Sequence, residues 1–86
     1  MAMFPVISNF QYDFVLQLVP VDTENSIDEV AAAAAYHSVG RRVAPQPGKV
    51  VRVRRQGAAE FFPRSAKLCE TDIKPMETLE FIFCDA

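Results

Sequence analysis

One segment constrains this chain's fold more than any other. Ser26-Ile27-Asp28-Glu29 has the spacing of a capping box, in which the serine oxygen accepts a backbone N–H at a helix start and the glutamate reaches back to the serine N–H. Asp28 and Glu29 suit the positive end of the helix dipole. The alanines Ala31 to Ala35 have high helix propensity, and Gly40 stands where a left-handed residue ends a helix. The spacing predicts one helix that begins after Ser26 and ends near Ser38. The chain on either side is patterned for strands, so the fold class is α+β with one main helix.

At 100° per residue, Ile27, Val30, Ala31, Ala34 and Ser38 share the side that packs on a sheet. The opposite side carries Glu29, Ala32, Ala33 and Tyr36, and is charged only in its first turn. Two readings of that back are open: a partner covers it, or alanine is there simply as a good helix former. His37 falls on the flank of the core side and is read as a hydrogen-bonded structural residue.

Phe4 to Phe10 reads as the first strand, with Pro5 near its start. From Tyr12 to Val21 the chain alternates. Tyr12, Phe14, Leu16 and Leu18 are taken as the core face, Asp13, Val15, Gln17 and Val19 as the other, with a hairpin turn over Asn9 to Asp13. Ala44-Pro45-Gln46-Pro47-Gly48 is a turn-rich connection. Val50 to Arg55 then reads as a strand with Val51 and Val53 inward and Arg52 and Arg54 outward. Glu60 to Phe62 reads as a short strand ended by Pro63, Lys67 to Glu70 as one helical turn, and Thr78 to Phe83 as a last strand with Leu79, Phe81 and Phe83 inward. This order predicts a β-grasp: a mixed sheet of four to five strands packed by one helix, the last strand lying beside the first. Residues 1–86 form a single domain.

Chemistry is restricted by what the chain lacks. It has one histidine, His37, and two cysteines fifteen positions apart, Cys69 and Cys84, too few donors for a His-rich or CxxC-type metal site. Nothing suggests a nucleophile–base pair or a glycine-rich phosphate loop, so no catalytic residue, metal ligand or cofactor is assigned. The cysteines are read as reduced, buried, small apolar residues, a disulfide being the alternative. The longest apolar run, Val30 to Tyr36, is far short of a membrane span, and no Lys or Arg precedes Arg41 as a secretory signal requires. A cytoplasmic location away from any membrane is expected.

Charge is laid out unevenly. Residues 1–40 hold five acids and no base, whereas residues 41–67 hold eight bases and one acid. A basic stripe can bind nucleic acid, but the overall charge of −2 and the lack of aromatics interleaved with the arginines favour an acidic protein partner. The candidate interface is therefore Tyr36 with Ala32 and Ala33 on the helix back, and Arg41, Arg42, Arg52 and Arg54. Aromatic and Arg side chains are frequent anchors, and Arg forms two-point bonds to carboxylates. The arginines can equally cap the helix C-terminus or pair with acids of this chain.

Val19 to Phe83 resembles ubiquitin in layout, through Asp22 to Val30 and Asp72-Ile73-Lys74-Pro75-Met76-Glu77-Thr78-Leu79. The ending Cys84-Asp85-Ala86 lacks the Gly-Gly of a conjugated modifier, so a free-standing, non-conjugated ubiquitin-like adaptor is the alternative function. Ala35-Tyr36-His37-Ser38-Val39-Gly40-Arg41-Arg42-Val43-Ala44-Pro45, with Val51-Arg52-Val53-Arg54 and Phe62-Pro63-Arg64, resembles more closely the small gamma subunits of the toluene monooxygenase hydroxylases, which are soluble bacterial multicomponent diiron monooxygenases. That resemblance implies a non-catalytic ubiquitin-like subunit. It would bind and stabilise a large alpha subunit that carries the diiron centre, within an assembly of two alpha-beta-gamma units. It further implies a beta subunit, an effector protein, a Rieske-type ferredoxin and an NADH-dependent flavin reductase. Relatives oxidise toluene, xylenes, benzene, phenols, isoprene or small alkenes.

Overall fold

The computed structural model describes residues 3–85. Four strands and one helix follow in the order β1 (Met3–Phe10), β2 (Gln17–Asp22), α1 (Ile27–Ser38), β3 (Lys49–Arg55) and β4 (Thr78–Asp85), with a 3-10 turn at Leu68–Glu70 before the last strand. The sheet order is β2-β1-β4-β3. β1 and β4 run parallel at its centre, and the antiparallel partners β2 and β3 form its edges. The parallel pair requires a crossover, and α1 with the segments around it supplies one. This is the ubiquitin-like β-grasp.

The helix begins as its sequence dictates. Ser26 Oγ accepts the Glu29 N–H at 3.1 Å, and Glu29 Oε1 accepts the Ser26 N–H at 2.8 Å. The Ile27 and Asp28 N–H groups donate to the carbonyls of Ala66 and Arg64, so the first turn is satisfied by the chain itself. Gly40 ends the helix at φ +79°, a conformation that costs an L side chain more than glycine. Ile27, Val30, Ala31, Ala34 and Ser38 are the buried helix residues, all on the predicted side. They pack on Val6, Phe10, Val19, Val21, Val53, Leu79 and Phe81 of the sheet. Phe10 and Phe81, neighbours across the central parallel pair, stack with ring centroids 6.1 Å apart.

Four expectations fail. The chain over 11–16 is a loop and the second strand starts only at Gln17, so the turn lies later than Asn9 to Asp13. Its inward residues are Val19 and Val21, whereas Tyr12, Phe14, Leu16 and Leu18 are all exposed. The pairing Val6↔Val19 and Phe4↔Val21 decides this: Val6 faces the helix, so its partner does too. Glu60 to Phe62 forms no strand; a single bridge, Arg54↔Phe61, is made there before Pro63. The cysteines are free, but Cys69 is exposed and Cys84 only half-buried, so neither is a core residue. Among the described residues no helix is long and apolar enough to cross a membrane.

Candidate partner interface

Folding largely cancels the charge asymmetry. Arg42 pairs with Asp13, Arg64 with Asp28 and Lys67 with Glu24, joining the basic middle to the acidic first part. Lys49 pairs with Asp85, Arg54 with Glu80, and Arg55 with Asp72 and Glu77. Of the basic side chains from 41 to 67, Arg41 and Arg52 alone lack an ion pair among the described residues. Most of these pairs are solvent-exposed and each contributes little stability.

Asp13–Arg42 differs in kind. The Asp13 side chain has no exposed surface, and Arg42 Nε donates to its Oδ1 at 2.8 Å. Ser38 Oγ donates to Oδ2 at 2.7 Å and the Val15 N–H to Oδ1 at 3.0 Å. The Arg42 hydrogen bond holds the carboxyl at about 2, below its ordinary 3.8, against the opposing effect of burial. A second guanidinium nitrogen of Arg42 donates to the His37 carbonyl at 2.9 Å, near the negative end of the helix. Arg42 thus spends its fork within the chain.

The other candidate residues separate into two places. At the helix C-terminus Arg41 and Tyr36 are both exposed. The Arg41 guanidinium sits 5.4 Å from the Tyr36 ring centroid, and its Nε donates to the Tyr36 carbonyl at 3.2 Å. Ala32 is exposed on the helix back and Ala33 half-buried. On the outer side of β3, Arg52 and Arg54 flank the Phe61 ring at 5.3 and 5.6 Å. Arg54 is held by Glu80 at 2.6 Å. Arg52 donates to the Phe62 carbonyl at 3.2 Å, while its buried Nε has no partner among the described residues. His37 is half-buried beside Tyr36, their rings edge to face.

Between the helix back and β3 lies an open groove of about 280 Å³, lined by Ala31, Ala32, Ala35, Val50 and Val51, with the Asp28–Arg64 pair also on its wall. Small alanines leave that space. Among the described residues no three His, Cys, Asp or Glu side chains converge to hold a metal. Besides the two cysteines, the sequence reading placed Tyr12, Phe14, Leu16 and Leu18 in the core, and the structure puts all four outside. One signal pointed the right way: the β-branched residues Val15, Val19 and Val21 stand at the odd positions.

The family described as Toluene-4-monooxygenase system protein B matches residues 3–83. The chain belongs to that family. The hydroxylase component subunit gamma of the toluene-4-monooxygenase system of Ectopseudomonas mendocina is 46% identical over 83 residues, covering 96% of this chain and 98% of the relative. An alkene monooxygenase oxygenase component subunit gamma from Xanthobacter autotrophicus is 49% identical over 47 residues, 55% of this chain and 53% of that one. A solved structure described as a toluene 4 monooxygenase HD complex with the inhibitor 4-bromobenzoate superposes with a TM-score of 0.91 at 45% identity, over 95% of this chain and 99% of the other. A structure described as molecular mimicry of SUMO that promotes DNA repair has a TM-score of 0.72 at 5% identity, over 95% and 92% of the two chains. That likeness concerns the fold alone. Within the protein B family, then, the β-grasp sheet and its capped helix form the scaffold on which the exposed side chains described above are mounted.

Proposed function

We propose that this chain is the gamma subunit of a multicomponent toluene- or alkene-type monooxygenase hydroxylase, without chemistry of its own, and that it binds and stabilises the large alpha subunit. The observation that carries the reading is the near full-length likeness to a hydroxylase gamma subunit in both sequence and backbone. The diiron centre belongs to the alpha subunit, because a carboxylate-bridged pair of irons takes two Glu-x-x-His sets and this chain has a single histidine. Two alpha-beta-gamma units make the assembly in the cytoplasm, and an effector protein, a Rieske-type ferredoxin and a reductase complete the system.

The contact residues proposed are Tyr36 and Arg41, with Ala32 and Ala33 beside them and Arg52 and Arg54 as the second patch. Among the described residues Arg41 has no carboxylate partner, and its guanidinium rests over an exposed ring; such Arg–aromatic pairs are frequent anchors. Arg42 serves the fold through Asp13. Co-expression with the alpha and beta subunits of the same system tests the reading. Stoichiometric co-purification is expected, with iron in the complex and none in this chain alone. Arg41→Glu should sharply reduce recovery in the complex while lowering thermal melting of the isolated chain only slightly, by the loss of one exposed contact at the helix C-terminus. A chain that purifies apart from the hydroxylase, or that binds iron stoichiometrically by itself, overturns the proposal.

A further inference from the structure

The loop between β1 and β2 is fastened at both faces yet displays large apolar side chains to solvent. Gln11 is bound twice to β4, its N–H donating to the Phe81 carbonyl and its Oε1 accepting the Phe83 N–H. Asp13 is buried under the helix C-terminus. Tyr12, between them, holds φ +70°, an unfavourable conformation for a bulky L residue. Out of this frame project Tyr12, Phe14, Leu16 and Leu18, which are 69, 87, 59 and 56% exposed.

With aromatic side chains covering about 150–250 Å² each, the four together expose on the order of 500 Å²; Phe14 and Leu16 project from the loop itself, Tyr12 stacks on Phe83 at 6.3 Å between ring centroids, and Leu18 stands on the side of β2 opposite the buried Val19. A standard interface takes about 800 Å² from each partner. Residues 11–21 contain one charge, Asp13, and it is buried and paired, so the exposed side chains carry none. An anionic lipid surface would call for basic residues here, and a charged protein face for counter-charges. The occupant that fits is an apolar, uncharged protein surface.

We infer that Tyr12, Phe14, Leu16 and Leu18 form the apolar anchor by which this chain docks on the large hydroxylase subunit, with Asp13 as the positioning residue that fixes the loop. The inference rests on the gamma-subunit reading and adds to it a surface distinct from the arginines. A loop already held in one shape loses less freedom on binding than a mobile one. Phe14, the most exposed of the four, is the expected centre.

The experiment is co-expression with the alpha and beta subunits, comparing the wild-type chain, Phe14→Ser with Leu16→Ser, and Met76→Ser, an exposed apolar residue elsewhere. The double variant should recover at least tenfold less complex, with Met76→Ser equal to wild type, while the isolated variants melt like the parent. Hydrogen exchange of the wild-type complex provides a readout independent of variant folding: amides of residues 14–18 should gain protection on assembly. Normal recovery of the double variant, or unchanged exchange at 14–18, overturns the inference and leaves the subunit reading standing. If the wild-type chain itself fails to join the hydroxylase, the subunit reading fails and this inference falls with it. A self-dimer of the isolated chain dissolved by the double variant would name a second copy as the occupant and equally overturn it.

Discussion

Arg42 Nε lies 2.8 Å from Asp13 Oδ1, a bond across 29 positions of sequence that fixes the first loop of the chain to the end of its helix. Ser38, fully buried in the last helical turn, donates to the other carboxylate oxygen at 2.7 Å. A buried carboxylate is tolerated because three donors converge on it, one from its own loop, one from α1 and one from the segment after the helix. The consequence for function is that Tyr12 and Phe14, on either side of Asp13, are held outward.

Replacing the carboxylate should therefore cost more than a surface salt bridge. Asp13→Ala leaves the Arg42 guanidinium and the Ser38 hydroxyl without their partner, a loss of about 2–3 kcal/mol. Urea unfolding should show a lower midpoint at unchanged slope. A midpoint equal to the parent's would show that the loop is not anchored there.

Acid should act through the same group. The folded pKa of Asp13, about 2, lies below its ordinary 3.8, so its contribution is fully present above about pH 4 and is lost as pH falls toward 2. The shift corresponds to about 2 kcal/mol. Glu24, Asp72 and Asp85 are lowered too, through hydrogen bonds from Lys67, Arg55 and Lys49 respectively, and add to the same acid side. Melting temperature followed from pH 6 to pH 2 should fall steeply below about pH 4, and less steeply in Asp13→Asn, which cannot titrate at that position.

The inward face of β2 is open to a direct comparison. Val19 is fully buried, whereas Leu18 is 56% exposed. Val19→Ala should cost about 2 kcal/mol, and Leu18→Ala less than about 0.5 kcal/mol, although leucine is the larger side chain. Reversed costs in equilibrium unfolding would restore the even-numbered face to the core.

Ser26→Ala removes the acceptor of the Glu29 N–H and should lower stability by about 0.5–2 kcal/mol, the usual loss for a helix N-cap. Glu29→Ala, which removes only the reciprocal bond to the Ser26 N–H, should cost less. Equal melting of Ser26→Ala and parent would contradict the capping box.

By itself the sequence determined what is local. The capping box, the buried side of α1, the glycine that ends the helix and the inward residues Val53, Leu79 and Phe81 were all legible, because each depends on spacing within one element. The resemblance of residues 35–45 named the family for the same reason, being a property of the string. What only tertiary structure decided was which side of an alternating strand faces inward, and where the charges go. From 12 to 21 both faces carry apolar residues, so alternation cannot choose between them; the pairing of Val19 with Val6, and the helix above Val6, chose. Charge polarity along the chain implied a basic surface, yet the bases find acids up to 43 positions away through a fold that brings both ends of the sequence to its middle. Coulombic attraction acts through space, so the sequence supplies the charges and only the packed sheet and helix assign their partners.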